Sequence, residues 1–280
     1  MAMRIPPLLE PYLRLPPESS LIVLTHVLGA STNWLVQRYL CSLLGNPGRG
    51  VANENDQHAT ADKECSVVLV SFMRDYAFWK EGAGRLGLDL DALSQKRRFS
   101  FVDGLSQLFT GASGDGSRAK SRDASGQRVL QSSTLQDLRS VVSQALAERT
   151  TRDVVLILDN PDLLLSAAGS EMTAQAVRET LLDLRETVSS TIVTLAVDEP
   201  LVSAQATSLE KEQASLVLSL AHEAELLLSL RLLDTGTARD VSGVLRVTHG
   251  GASTGLASEE RELLYFVGGD GGTRVFERGQ

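Results

Sequence analysis

The chain has 280 residues, of which 42% are apolar and 22% are charged, and its formal net charge is −8. This length and composition are typical of a globular protein with one large core, although two smaller domains would also fit. The acidic balance argues against an autonomous nucleic-acid-binding protein, which usually carries a basic surface. It leaves open a subunit of a larger assembly that binds nucleic acid.

The chain also lacks the sequence features of secreted, membrane-spanning and metal-binding proteins. Two cysteines, Cys41 and Cys65, cannot make a disulfide framework, so we interpret both as core residues in a reducing compartment. No run approaches the roughly 20 apolar residues that span a bilayer, and no signal peptide is recognisable. The four histidines show no metal-ligand spacing. We therefore expect an intracellular, soluble protein with no membrane contact, no metal and no cofactor.

The first two thirds of the chain alternate between strand and helix patterns. The predicted elements are strand Leu21–Thr25, helix Asn33–Leu44, strand Val67–Phe72, helix Asp75–Leu86, strand Phe99–Asp103, helix Leu135–Glu148, strand Asp153–Asp159, helix Thr173–Val188 and strand Thr191–Val197. Continuous apolar runs such as Val67–Phe72 suit strands that are covered on both faces. Such alternation indicates an α/β fold with a parallel sheet and right-handed crossovers.

The last third of the chain changes character. After a helix predicted over Leu209–Leu220, the strand patterns are Ala224–Leu233, Gly243–Thr248, Leu263–Val267 and Thr273–Phe276. Short glycine-rich connections such as 268–272 are hairpin signals, so this part is predicted to be antiparallel and to continue the same sheet. Polar stretches at 45–64 and 111–127 are predicted as flexible insertions within one domain of residues 1–280.

The turn at 26–32, between the first strand and the first helix, occupies the position where P-loop proteins hold phosphates. A P-loop needs several glycines, a lysine and a Ser or Thr. This turn contains one glycine, no lysine, and Ser31 followed by Thr32. The frame therefore resembles a nucleotide-binding fold whose own phosphate site is missing.

Several polar residues at or near predicted strand ends have both a chemical and a structural interpretation. Asp159 has the position of a Walker-B acid that holds Mg²⁺ at a strand tip, but we favour a capping role with Asn160 and Asp162. Ser31 or Thr32 could ligate a metal, although an N-cap of the following helix is favoured. His26 is interpreted as a structural histidine.

Gly251–Gly255 matches the G-x-S-x-G pattern of a hydrolase elbow around Ser253. That motif requires a strand-to-helix turn with the histidine later in the chain, whereas the last histidine, His249, precedes the serine. A serine hydrolase is therefore disfavoured.

Aromatic and basic residues complete the set of candidates. The aromatic residues after the second strand, Phe72, Tyr76, Phe78 and Trp79, could stack bases but more often pack a helix on a sheet. The basic residues 96–98, 118–122 and Arg128 usually mark a solvated face, although a basic loop could reach a phosphate backbone.

Several segments together resemble the sixth subunit of the Elongator complex. The segments are Leu21–Leu40, Val67–Leu90, Phe99–Leu105, Asp153–Ser166, His222–Gly250 and Leu263–Phe276. The resemblance implies a RecA-like three-layer fold without a working P-loop, a mostly parallel central sheet and antiparallel C-terminal strands.

The family resemblance also implies partners. Proteins of this family form a hetero-hexameric ring with the fourth and fifth Elongator subunits. The ring docks on the catalytic lobes of Elongator, which modifies the wobble uridine of tRNA, and it contacts tRNA. ATP turnover is associated with the ring as a whole. The resemblance brings no catalytic residue to this chain.

We therefore expect a pseudo-ATPase that is not itself an enzyme and acts by assembly, in the cytoplasm, with the nucleus left open as a second location. Arg231, Arg239 and Arg246, near a predicted ring-facing edge, are candidates for tRNA contact or for completing a neighbour's site. The alternative is an autonomous NTPase with a divergent phosphate site.

Overall fold

The computed structural model describes residues 5–45, 64–108, 127–149, 151–167, 172–234, 236, 238–253 and 259–277. The predicted insertions 45–64 and 111–127 fall outside these ranges apart from Gly45, Glu64 and Gln127. Their flexibility, and the extent of the single domain, therefore stay predictions.

Within the described residues, ten strands join one sheet. They are β1 (Ser20–His26), β2 (Cys65–Ser71), β3 (Phe99–Asp103), β4 (Arg128–Val129), β5 (Asp153–Asp159), β6 (Ser190–Ala196), β7 (Leu226–Arg231), β8 (Gly243–His249), β9 (Arg261–Val267) and β10 (Thr273–Phe276). Their order across the sheet is β10-β9-β8-β7-β1-β6-β5-β2-β3-β4. The seven strands from β7 to β4 are mutually parallel, and β8, β9 and β10 continue the sheet with antiparallel pairing.

Helices cover the two faces of this sheet. They are α1 (Glu10–Leu13), α2 (Asn33–Leu44), α3 (Tyr76–Arg85), α4 (Leu90–Gln95), α5 (Leu135–Ala147), α6 (Leu163–Ala167), α7 (Ala174–Arg185), α8 (Glu199–Val202) and α9 (Ser208–Glu223). Buried residues of α1 to α4 share one hydrophobic core, and buried residues of α5, α6, α7 and α9 share another. The molecule therefore has three layers.

The alternation of side chains along each strand builds these two cores. On β1, Ile22 and Leu24 belong to the core under α1 to α4, whereas Leu21 and Val23 belong to the core under α5 to α9. A strand buried on both faces must be apolar at consecutive positions, which explains the uninterrupted apolar runs of the sequence. Further along the sheet, Leu228 on β7 and Leu245 on β8 belong to the core under α1 to α4.

The predicted fold class and topology are confirmed: the protein is α/β, mostly parallel, with an antiparallel C-terminal extension in the same sheet. Predicted element ends agree with the observed ends to within about three residues in most cases. The short elements α1, α4, α6, α8 and β4 are additional to the predicted ones, since two to six residues show too little periodicity to be recognised. No helix among the described residues is long and apolar enough to cross a membrane.

Candidate functional site

The carboxyl ends of the parallel strands form the edge at which open α/β sheets bind ligands. Here β1 ends at His26, β2 at Ser71, β5 at Asp159 and β6 at Ala196. β6 and β5 lie between β1 and β2, so these four strand ends form a contiguous row. The predicted phosphate-site turn follows β1 at one end of this row.

The turn after β1 is a tight connection closed by its own backbone. The Ala30 N–H donates to the Val27 carbonyl at 2.9 Å, and Gly29 takes a φ of +90°, which favours glycine. A Cβ on Gly29 would lie 3.3 Å from a methyl carbon of Leu232, so the turn also packs closely on the end of β7. Leu28 at the apex is 86% exposed.

An acidic side chain already binds the backbone of this turn. The Leu28 N–H donates to Oδ1 of Asp198 at 2.7 Å, and Asp198 lies in the connection between β6 and α8. In a P-loop, backbone N–H groups of the equivalent turn bind phosphate oxygens. Asp198 therefore brings a negative charge to the place where a phosphate would bring its own, and the two would repel.

The start of α2 only partly agrees with the predicted capping. Thr32 holds the N-cap position but makes no side-chain cap hydrogen bond, and its side chain is buried. Ser31 accepts the Asn33 N–H on its Oγ at 3.1 Å. The prediction that one of these two residues is the N-cap is therefore confirmed by the position of Thr32, whereas the side-chain hydrogen bond at this helix start comes from Ser31, one residue earlier.

Asp159 does not cap a loop or helix, contrary to the prediction. Its Oδ2 accepts the Ser71 hydroxyl at 2.7 Å and its Oδ1 accepts the Thr194 hydroxyl at 3.0 Å. The residue is fully buried between β2 and β6. Burial raises the pKa of the Asp159 carboxyl above its ordinary value, and the two hydroxyl donors oppose that shift. The carboxylate joins three strands and has no exposed oxygen to offer a magnesium ion.

The residues after Asp159 form a second buried polar group. Asn160 adopts a φ of +54° and its side-chain amide lies 2.9 Å from Nε2 of His26. Asp162 Oδ2 accepts the Gln213 amide at 2.9 Å and the Ala196 N–H at 3.2 Å. Burial also raises the pKa of Asp162. His26 therefore has a structural partner, as predicted, and Gln213 from α9 completes a contact network that the sequence pattern did not reveal.

The three predicted arginines lie on β7, on β8 and in the connection between them, and they differ in availability. Arg231 Nη1 is 2.7 Å from Oδ1 of Asp234, and its Nη2 is 3.3 Å from Oε2 of Glu262. Arg246 is exposed on β8 directly across from Glu262, and Arg239 is exposed in the β7–β8 connection. Neither Arg239 nor Arg246 has an ion-pair partner in the part of the chain that the structure describes.

The Ser253 hydroxyl and Nδ1 of His249 lie 2.9 Å apart. This pair occupies a connection between β8 and β9, and so lies between two strands instead of at the strand-to-helix turn of a nucleophile elbow. The described residues give the His249 ring no carboxylate partner. The contact is local, four residues apart, and does not support a hydrolase.

The aromatic candidates pack within the protein, whereas the basic candidates differ: Lys96 and Arg97 are exposed, as expected of a solvated face. Phe72 and Trp79 are fully buried in opposite cores, and Phe78 packs edge-on against Trp79. Arg128 does not lie on a solvated face, because it is buried and paired with Glu148. Residues 118–122 lie outside the described ranges. Among the described residues, no three acidic, histidine or cysteine side chains converge as a metal site.

Comparison with known proteins gives consistent results. The family model described as Elongation complex protein 6 matches residues 60–267. The Elongator complex protein 6 of Xenopus laevis is 27% identical over 206 residues, covering 72% of this chain and 75% of that protein. The Elongator complex protein 6 homolog of Schizosaccharomyces pombe is 26% identical over 234 residues, covering 80% and 83% respectively.

Among solved structures, a KaiC-like protein from Pyrococcus horikoshii OT3 superposes with a TM-score of 0.56. The superposition covers 99% of this chain and 98% of that protein, with 12% sequence identity. At this identity the similarity concerns the fold alone, and it assigns the three-layer architecture to the RecA-like type.

Proposed function

This chain belongs to the Elongation complex protein 6 family, and we propose on that premise that it is a non-catalytic subunit of a hetero-hexameric Elongator ring. Family membership provides other Elongator subunits as partners. The proposed ring contains the fourth and fifth Elongator subunits, docks on the catalytic lobes, and supports wobble-uridine modification of tRNA. The proposed location is the cytoplasm, with the nucleus as a second compartment.

One contact supports the non-catalytic role most directly. The Asp198 carboxylate accepts the Leu28 N–H in the turn where a P-loop would hold phosphate. The turn also lacks a lysine, so a polyphosphate would find repulsion at 198 and no compensating positive charge.

The position of Asp159 supports the same conclusion from the metal side. A Walker-B acid holds Mg²⁺ directly or through water at a strand tip that faces the nucleotide. Both oxygens of Asp159 accept hydroxyl groups of neighbouring strands, and the residue is 0% exposed. The proposed activity of the chain is therefore assembly, and any nucleotide turnover in the ring would need residues of other subunits.

Native mass spectrometry of the chain co-expressed with the fourth and fifth subunits of the same source tests the assembly. We expect a species that holds two copies of each subunit. A stable monomer that binds neither subunit would contradict the proposal.

Calorimetric titration of the isolated chain with Mg·ATP tests the pseudo-ATPase part. We expect no saturable binding by the wild-type chain. Asp198→Ala removes the repelling carboxylate but supplies no lysine, so we expect no binding by this variant either. Saturable binding by the wild-type chain would favour the alternative of an autonomous NTPase.

The tRNA contact is proposed for Arg239 and Arg246, the two arginines that have no ion-pair partner among the described residues. In the assembled complex, Arg239→Ala and Arg246→Ala should each weaken tRNA binding. Each should also reduce the slope of log K against log salt concentration by about one, since one fewer phosphate is neutralised. Arg231→Ala is the comparison, since this side chain is engaged by Asp234 and Glu262 and should change tRNA binding less. Unchanged tRNA affinity in a variant with Arg231, Arg239 and Arg246 all replaced by alanine would contradict a role of these arginines in tRNA binding.

A further inference from the structure

Within the described residues, the strand β10 is an unpaired edge of the sheet. It pairs with β9 on one side, and no described strand pairs with its other side. Natural proteins blunt such edges with very short strands, charged side chains, proline, a bulge or a covering segment. β10 is a short strand of four residues, Thr273–Phe276, without proline or lysine, and its charged residue is Arg274. The guanidinium of Arg274 lies 4.9 Å from the centre of the Phe266 ring, across the face of the sheet.

The register shows which peptide groups of β10 face outward. The Gly268 N–H donates to the Gly272 carbonyl at 2.8 Å, and the same register pairs Arg274 with Phe266 and Val275 with Tyr265. Hydrogen-bonded and non-hydrogen-bonded pairs alternate in an antiparallel ladder. Arg274 and Phe276 therefore direct their N–H and C=O groups at β9. Thr273 and Val275 direct theirs away from the sheet.

A groove with a volume of about 690 Å³ adjoins β10. It is lined by Thr273–Phe276 together with Ile5, Pro6, Pro7 and Asp240. Proline has no N–H, and the carbonyls of Pro6 and Pro7 accept the N–H groups of Leu9 and Glu10. Within the described part of the chain, no backbone hydrogen bond joins Ile5, Pro6 or Pro7 to β10, so the outward peptide groups of Thr273 and Val275 have no backbone partner there.

Buried contacts hold the edge in place. Nη2 of Arg38 on α2 donates to the Gly271 carbonyl at 2.9 Å and to the Thr273 hydroxyl at 3.2 Å. The rings of Trp34 and Tyr265 lie 5.0 Å apart under the same hairpin. A strand that is already ordered loses little entropy when another strand pairs with it.

The chemistry of the groove defines its occupant. Outward N–H and C=O groups at every second residue are satisfied by an extended backbone, as in recognition by strand addition. Ile5 and Val275 offer an apolar contact, and the Asp240 carboxylate lines the groove without an ion-pair partner in the described part of the chain. The fitting segment is extended, with an apolar residue and a basic residue.

We propose that an extended segment of a neighbouring Elongator subunit adds to β10 as a further antiparallel or parallel strand. The identity of this partner rests on the proposed assembly role, since family membership makes other Elongator subunits the available chains. β10 spans about 14 Å at the usual rise per residue, so the segment contributes about four residues to the ladder.

Residue-resolved hydrogen exchange of the isolated chain and of its complex with the fourth and fifth subunits tests the proposal. In the isolated chain, the amides of Arg274 and Phe276 should exchange slowly and those of Thr273 and Val275 quickly. In the complex, Val275 should become protected at least about tenfold, because its N–H then donates to the added strand.

A pair of variants at Val275 separates the amide from the side chain. Val275→Pro removes the outward N–H and keeps the pairing with β9, which edge strands tolerate. Val275→Ala keeps the N–H and, like Val275→Pro, removes the branched valine side chain. We expect Val275→Pro to weaken association with the partner subunits by about tenfold relative to Val275→Ala. Thermal unfolding of each variant checks that it is folded. If Val275→Pro does not fold, the hydrogen-exchange result on the wild-type chain tests the proposal instead.

The outcomes distinguish this inference from the proposed function. A ring that assembles while the Val275 amide still exchanges quickly, or that forms equally well with both variants, would overturn strand addition and leave the assembly role intact. Failure of the wild-type chain to assemble would overturn both. Protection of Val275 that grows with the concentration of the chain alone would identify a second copy as the occupant and overturn the proposed partner.

Discussion

The Asp159 carboxylate has the position of a Walker-B acid, but both of its oxygens are hydrogen-bonded within the sheet. Its two oxygens accept hydroxyl groups from Ser71 on β2 and Thr194 on β6, so the side chain cross-links the centre of the sheet. A buried acceptor that loses its donor costs far more than an exposed one. The stability of the chain should therefore depend on these hydroxyls.

Thr194→Val should lower the free energy of unfolding by about 1–3 kcal/mol, because it leaves a buried Asp159 oxygen and the Asn160 N–H without their partner. Thr191→Val is the matched control on the same strand, since the buried Thr191 hydroxyl makes no hydrogen bond within the described residues. That variant should be neutral or more stable. Urea unfolding measures both, and equal losses would contradict the assigned role of Thr194.

The pH dependence of stability should reveal the buried carboxyl. Burial raises the pKa of Asp159 in the folded chain above its value in the unfolded chain. A raised folded pKa means that the folded state holds the proton more tightly, so the contribution to stability is present below about pH 4 and declines as pH rises through the folded pKa. The asparagine in Asp159→Asn cannot ionise, so this variant should lack the part of the decrease in the free energy of unfolding that Asp159 causes as pH rises.

Urea unfolding at a series of pH values from 4 to 8 measures the difference. The wild-type chain should lose stability relative to Asp159→Asn as pH rises. Asp162 has a pKa raised by the same cause, so the variant should keep part of the dependence. Parallel curves for the two proteins would show that Asp159 does not titrate abnormally.

At the scale of elements, α9 links the candidate site to the rest of the molecule. Gln213 on this helix donates to Asp162 at 2.9 Å, and Glu223 near its end pairs with Arg178 and Arg185 of α7. The helix begins with a capping box in which Thr207 Oγ1 accepts the Glu210 N–H and the Glu210 carboxylate accepts the Thr207 N–H. Sequence alone placed this helix within three residues at either end.

Thr207→Ala should lower the free energy of unfolding by about 1 kcal/mol, because the first turn of α9 loses the acceptor for one of its free N–H groups. Thr207→Ser keeps the hydroxyl and should stay close to the wild type. Chemical denaturation compares the two, and an alanine variant as stable as the serine variant would contradict the capping role.

At the scale of the whole molecule, the reactivity of the two cysteines shows whether the core between the sheet and α1 to α4 stays closed to solvent. Cys41 on α2 and Cys65 on β2 are both buried in the core under α1 to α4. Burial raises the pKa of each thiol to about 12, and the thiolate is the reactive form. Neither thiol should react while the fold is intact.

A chromogenic thiol reagent at pH 8 tests this protection. The native chain should show almost no reaction over the time in which the chain unfolded in urea reacts at both positions. In intermediate urea the rate should follow the unfolding transition. Cys41→Ala is the control that assigns the remaining signal to Cys65. Rapid reaction of one thiol in the native chain would indicate that its layer opens locally.

Sequence reasoning succeeded where the information is local or strictly periodic. The apolar runs of β1, β2, β5 and β6 predicted a parallel sheet covered on both faces, because a doubly buried strand has a near-continuous apolar sequence. The glycine-rich connection at 268–272 predicted the β9–β10 hairpin. The absence of a lysine and of further glycines in the turn after β1 is also local information, and the loss of a phosphate site that it predicts stays a prediction.

What the sequence could not determine are contacts between residues far apart in the chain. Asp198 reaches Leu28 across 170 positions, and Gln213 reaches Asp162 across 51. Arg128, at the edge strand β4, is buried against Glu148, although its local sequence is typical of an exposed basic stretch. The order of the strands brings each pair together, and that order depends on how helices pack across the whole sheet. The sequence therefore determined the long elements and the fold class, whereas the tertiary structure decided that Asp198 contacts the turn after β1 and that β10 lies at the edge of the described sheet, because both depend on the order of the strands.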